Sequence, residues 1–194
     1  MQFHKNSPKR YYEPNRSVFI TTNTYKRYPY FEEDIFCELF IEELNFCQKL
    51  KNFQIEAYKI NPEHIHLLIT PGERYNYSEI MGSLKRNFSR DYNDLINGNG
   101  FIRSIGGDSN RRLWNGREFE EHINRLNIIK EQFMTKYGIN HSFPVFKWQK
   151  SFHYHLIKNE KDMINHIVYI QNQSLKHELD GDRYIFIDKK WMET

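Results

Sequence analysis

Two histidines flanking one isoleucine, His64-Ile65-His66, carry the most pointed chemistry in the chain. They open the run His64-Ile65-His66-Leu67-Leu68-Ile69-Thr70, whose aliphatic and β-branched content predicts a strand. Strand side chains alternate between faces, so both imidazoles point one way and Ile65 points the other, into a core. Two neutral imidazoles converging on one point suit a divalent metal ion, although histidine serves several other roles and the bare tripeptide is weak evidence. Tyr169 and Gln173 form a second feature, in Tyr169-Ile170-Gln171-Asn172-Gln173. Residues i and i+4 share a helix face, so the phenol and the amide can both look toward a sheet. A tyrosine in an amphipathic helix is nevertheless more often core than nucleophile. Lys85, Arg86 and Arg90 form a third feature, a cationic flank that could be a solvated helix face or a track for nucleic acid.

The elements that must position these residues are legible from patterning. Ser17 to Thr24 is β-branched and aromatic and predicts a first strand. Acidic residues 32–34 then open a helix with Ile35, Phe36, Leu39, Phe40, Leu44, Cys47 and Leu50 at helical spacing. Gln54 to Ile60 predicts a second strand, and the tight Asn61-Pro62-Glu63 connection makes a hairpin with the histidine strand. A second helix runs from about Tyr77 to Leu95. Glycine- and asparagine-rich loops and a charged helix, roughly Arg117 to Tyr137, follow it. In that helix Phe119, Ile123, Leu126, Ile129 and Phe133 make one apolar stripe that must be buried on its own domain, on DNA or on another subunit. Phe152 to Ile157 predicts a fourth strand, Asn159 to Leu175 the tyrosine helix, and Tyr184 to Ile187 a short last strand. The order β-α-β-β-α-β-α(β) predicts an α+β fold. It is a ferredoxin-like split βαβ with a central antiparallel sheet and helices mainly on one face. The expected organisation is a basic arm over 1–16, one domain over 17–176 with a surface insertion at 97–145, and a tail over 177–194.

Composition narrows the class. With 39% hydrophobic and 27% charged residues, the 194-residue chain is globular rather than disordered. Its apolar runs are far short of the ~20 residues that span a bilayer, and none follows the basic start Met1 to Asn6. The expected location is therefore the cytoplasm, with no membrane partner. Cys37 and Cys47 lie in one predicted helix roughly 15 Å apart, too far for a disulfide, and they are expected to be reduced. A net charge of +3 hints only mildly at a polyanion. The 13 tyrosines and 15 phenylalanines, many beside lysine or arginine, add a composition that suits unpaired nucleic acid.

Taken together and in this order, the features resemble the REP-associated tyrosine transposases, relatives of the single-strand insertion-sequence transposases within the HUH nuclease superfamily. The resemblance rests on Arg10-Tyr11-Tyr12, on Val18 to Thr24, on Asn61-Pro62-Glu63-His64-Ile65-His66-Leu67-Leu68-Ile69, and on Ser83 to Phe88. It continues through Trp148 to Ile157 and Tyr169 to Gln173. It covers about 11–96 and 146–176. Two departures stand out. The 97–145 insertion is longer than the family leads one to expect. The chain also reads Asn172-Gln173 where REP-associated members often read Asn-Pro. Both bear on the DNA target and on assembly as monomer or homodimer.

The resemblance implies a chemistry. Tyr169 would be the nucleophile, forming a 5′-phosphotyrosine and freeing a 3′-hydroxyl. His64, His66 and Gln173 would hold Mg²⁺ or Mn²⁺. The partner would be single-stranded DNA with a hairpin, contacted by Lys85, Arg86, Arg90, Arg10, Trp148 and Lys150. A phenol with pKa ~10 is a poor nucleophile at neutral pH, so a cation at the phosphate is physically sensible. Imidazole ligands favour Mn²⁺ over Mg²⁺ in affinity. Two other readings remain open: a hairpin-binding relative without catalysis, and a different HUH nickase.

Overall fold

The computed structural model describes residues 10–99, 116–173 and 183–192. Residues 1–9 of the basic arm, the glycine-rich stretch 106–110, and Leu175 of the tyrosine helix lie outside them. The described elements are β1 (Val18–Asn23), α1 (Asp34–Lys51), β2 (Gln54–Asn61), β3 (His64–Thr70), α2 (Tyr77–Ile96), α3 (Gly116–Tyr137), β4 (His153–Leu156), α4 (Glu160–Gln171) and β5 (Ile185–Ile187). The strands form one sheet in the order β4-β1-β3-β2-β5, and every neighbouring pair is antiparallel. This is the expected α+β, split-βαβ arrangement, extended by β5 at the β2 edge. Among the described residues, no helix is long and apolar enough to cross a membrane.

The sheet is buried on both faces, and strand alternation divides it. Val18 and Ile20 of β1 and Ile65, Leu67 and Ile69 of β3 join α1 and α2 in the main core. That core also takes Leu126, Ile129 and Phe133, so the apolar stripe of α3 is buried against the chain's own fold. On the opposite face Ala57 and Leu68 pack against Met163, Ile167 and Ile170 of α4. Three helices thus share one face, and among the described helices α4 packs on the other, with Trp191 beside it.

A bulge in β2 decides which of its side chains reach the histidine face. Pairing with β3 shifts between Ile55 and Ala57. Ile55, Tyr58 and Ile60 therefore face the main core, whereas Ala57 faces α4. The extra residue flips the parity of the strand. Without it, Asn61 would not lie on the same face as His64.

Local signals fix the helix starts. The Asn76 side chain accepts from the backbone N–H of Ser78 and Glu79 while the Glu79 carboxylate accepts from Asn76 N–H, a complete capping box for α2. Asn159 caps α4 by accepting from Asp162 N–H.

Candidate active site

His64 and His66 point to the α4 face and are almost fully buried. Their Nε2 atoms stand 3.1 Å apart. The outer nitrogen of each ring has its own partner: His64 Nδ1 lies 2.9 Å from Glu63 Oε1, and His66 Nδ1 lies 2.9 Å from Thr21 Oγ1 across the β1–β3 ladder. An ionised carboxylate only accepts, so Nδ1 of His64 carries a proton, and in the neutral ring it is Nε2 that holds the lone pair. The Asn61 amide reaches the same atom, with Nδ2 3.0 Å from His64 Nε2.

Across this pair lies α4. The Tyr169 ring centroid is 5.2 Å from that of His66. Phe19 of β1 stacks on His66 at 5.4 Å and meets Tyr169 edge-on at 5.8 Å, so one ring orients both. Tyr169 is 38% exposed, open to a ligand from solvent. Gln173, one turn on, continues the buried Met163-Ile167-Ile170 stripe. Its Nε2 donates to Tyr169 O at 3.2 Å, while its buried Oε1 has no hydrogen-bond partner among the described residues. A buried, unsatisfied carbonyl oxygen is uncommon and calls for a ligand or a water. An octahedral ion bound at ~2.1 Å holds adjacent donors ~3 Å apart, the separation of the two Nε2 atoms. The spacing of the two histidine nitrogens therefore fits a divalent ion, and the buried Gln173 Oε1 is an oxygen of a type that could join them.

The proposed DNA contacts divide. Lys85, Arg86, Trp148 and Lys150 line one open groove of about 770 Å³, together with Tyr25 and Lys147. A backbone link joins the groove wall to the sheet: Asn23, which pairs with His64, accepts at its carbonyl from Gln149 N–H. Lys85 Nζ donates to Gln149 O, and Trp148 Nε1 donates to Lys85 O, which ties the groove wall to α2. Burial, and secondarily the charge of Arg10, lower the Lys85 pKa to about 8. Arg10 sits nearby, its guanidinium 3.9 Å from the Phe152 ring centroid and bonded to Ser78. Arg90 is not a lining residue. Its Nε instead donates to buried Asp91 at 2.8 Å.

Patterning did not single out Thr21, Asn61, Glu63 or Phe19, although all four flank the histidines directly. It also missed a cluster at the start of α4: His155 Nε2 lies 2.8 Å from Asp162 Oδ2, and His166 stacks on His155 at 4.8 Å. Burial opposes ionisation of Asp162, but hydrogen bonds from His155 and Lys158 N–H outweigh it and hold the carboxyl below its usual range. The cluster ties the tyrosine helix to β4.

Residues 15–101 match the family model described as Transposase IS200 like. Over that stretch, somewhat under half of its length, the chain is similar to the IS200-like transposases. The IS200-like segment runs from before β1 to beyond α2 and so contains His64 and His66, whereas Tyr169 and Gln173 lie outside it. Among solved structures, the chain is similar to a REP-associated tyrosine transposase bound to a REP hairpin. The identity is 21% over 89% of this chain and 74% of the other, with a TM-score of 0.48. It is also similar to a candidate transposase from Deinococcus radiodurans, at 12% identity over 88% of this chain and 98% of that one, with a TM-score of 0.42. No curated protein matches the chain.

Proposed function

We propose that this chain is a transposase that cleaves and rejoins single-stranded DNA beside hairpins, through a 5′-phosphotyrosine on Tyr169. The observation that supports this most is the packing of Tyr169 against His66, on the face where His64 and His66 bring their Nε2 atoms to 3.1 Å. His64, His66 and Gln173 would hold one Mg²⁺ or Mn²⁺, with Glu63 and Thr21 fixing the two rings from behind. An ion held there supplies positive charge against that developing on the scissile phosphate.

The residues of the chain do the rest. Tyr169 Oη forms a bond to phosphorus while the bond from phosphorus to the 3′-oxygen breaks. The phenol gives up its proton, and the departing oxygen takes one up. The number of phosphoester bonds is unchanged, so a later 3′-hydroxyl reverses the step and joins a strand without ATP. Phe19 stacks on the imidazole of His66 and meets the phenol of Tyr169 edge-on, so it bridges the two rings. In the groove, Lys85, Arg86 and Lys150 suit phosphates, and Tyr25 and Trp148 offer faces on which unpaired bases stack.

The test uses the full chain and an end-labelled single strand carrying a hairpin and flanks. The expected result is nicking that needs Mg²⁺ or Mn²⁺, with the 5′ end of one product bound to protein, and no reaction on blunt duplex. Tight hairpin binding without nicking would replace this reading with that of a silent DNA-binding relative. Equal cleavage in excess EDTA would remove the metal from the mechanism.

A further inference from the structure

On the sheet face away from Tyr169, a second polar cluster joins three helices. Glu43 of α1, Asp91 of α2 and His122 of α3 are each at least 97% buried, with relative exposures of 0%, 1% and 3%. One donor atom from each lies within 4.8 Å of the others. The His122 ring is stacked on Phe46 at 3.7 Å and 13°, so its direction is fixed.

The protonation pattern of that ring is constrained. Its Nδ1 lies 2.8 Å from Glu42 Oε1, and the other oxygen of Glu42 is paired with Arg125 at 3.2 Å. An ionised Glu42 can only accept, so Nδ1 carries a proton and donates. The opposite nitrogen, Nε2, faces Glu43 Oε1 at 3.3 Å and makes no hydrogen bond among the described residues. In the neutral ring that nitrogen presents a lone pair to a buried carboxylate. Two acceptors facing each other out of reach of water require positive charge between them.

We propose that Glu43, Asp91 and His122 form a structural site for a divalent transition-metal ion, Zn²⁺ or a close analogue, which pins α3 to α1 and α2. One imidazole and two carboxylates are an N,O,O donor set suited to such ions. Glu42 behind His122 supplies the carboxylate–histidine relay that accompanies metal-bound imidazole. Arg90 bonds to Asp91 from the outer side and offsets the second carboxylate. The site is independent of the nuclease reading, since its ligands lie on the other face of the sheet and share no residue with it.

The test separates the two sites by working in the full-length His64→Ala/His66→Ala chain, stripped with EDTA and dialysed. Zn²⁺ is then added back and counted by elemental analysis, and Co²⁺ is added in parallel as a spectroscopic probe. The expected result is stoichiometric retention of Zn²⁺, ligand-field bands with Co²⁺, and a melting temperature that rises with added Zn²⁺. His122→Gln and the near-isosteric Glu43→Gln should each weaken retention at least ~10–100-fold. Metal retained equally by both variants would place the ion elsewhere and overturn the proposal. So would no retention and no Co²⁺ bands in the unmutated cluster, which would leave a protonated His122 as the charge between the carboxylates.

Discussion

Thr21 Oγ1 lies 2.9 Å from Nδ1 of His66, so the imidazole that faces His64 is fixed by a residue from the neighbouring strand. Thr21 and His66 are direct cross-strand partners, and the contact exists only in this register.

If His66 is a metal ligand, Thr21 is the group that fixes the tilt of its ring from behind. Thr21→Val keeps the β-branched shape and removes only the oxygen. Affinity for Mn²⁺, measured by titration, should fall ~10–100-fold with little loss of stability. An unchanged affinity would separate Thr21 from the metal.

Lys85 gives the DNA groove a pH dependence. Its pKa is lowered to about 8 chiefly by burial, so it is charged at pH 7 and loses charge as pH rises through 8. Affinity for a hairpin single strand should therefore decline between pH 7 and pH 9. A bound phosphate favours the charged form, so the midpoint should lie higher in the complex than in the free protein. Lys85→Arg stays charged across that range and should flatten the profile. Identical profiles for the two proteins would remove Lys85 from the contact. Losing one phosphate contact altogether, as in Lys85→Ala, should reduce the log–log salt slope by ~0.7–0.9.

The packing of α3 is testable by stability. Phe133 is fully buried in the main core, whereas Ile128 on the same helix is 54% exposed. Phe133→Ala should cost ~3–5 kcal/mol in denaturant unfolding, and Ile128→Ala within ~0.5 kcal/mol. Equal small effects would mean that α3 does not dock on this core in solution.

The strand and helix order was legible because both periodicities are clean in this sequence. Alternation in His64-Ile65-His66 placed both imidazoles on one face, and the i, i+4 spacing placed Tyr169 and Gln173 on one turn. Asn61 was not legible, since its face is set by the bulge between Ile55 and Ala57 and no residue type announces that extra step. Arg90 looked like part of a cationic flank, but its Nε donates to its buried neighbour Asp91. His122 sits among charged residues in sequence, and only the packing of α3 on α1 reveals that it continues the Leu126-Ile129-Phe133 stripe inward. The two cysteines are free as expected. Both are buried, and burial pushes the Cys47 thiol up to about 12, which makes it an inert core group.

The proposed function turns on one covalent bond, between Tyr169 and DNA. Full-length protein is incubated with a hairpin single strand and Mn²⁺, the DNA is digested, and the nucleotide-bearing peptide is located by mass spectrometry. The modification is expected on Tyr169 alone. Tyr169→Phe is expected to bind the hairpin nearly as well as the parent chain while losing adduct formation by about a thousandfold or more. An adduct on another tyrosine, such as Tyr154 or Tyr92, or an adduct undiminished in Tyr169→Phe, would contradict it.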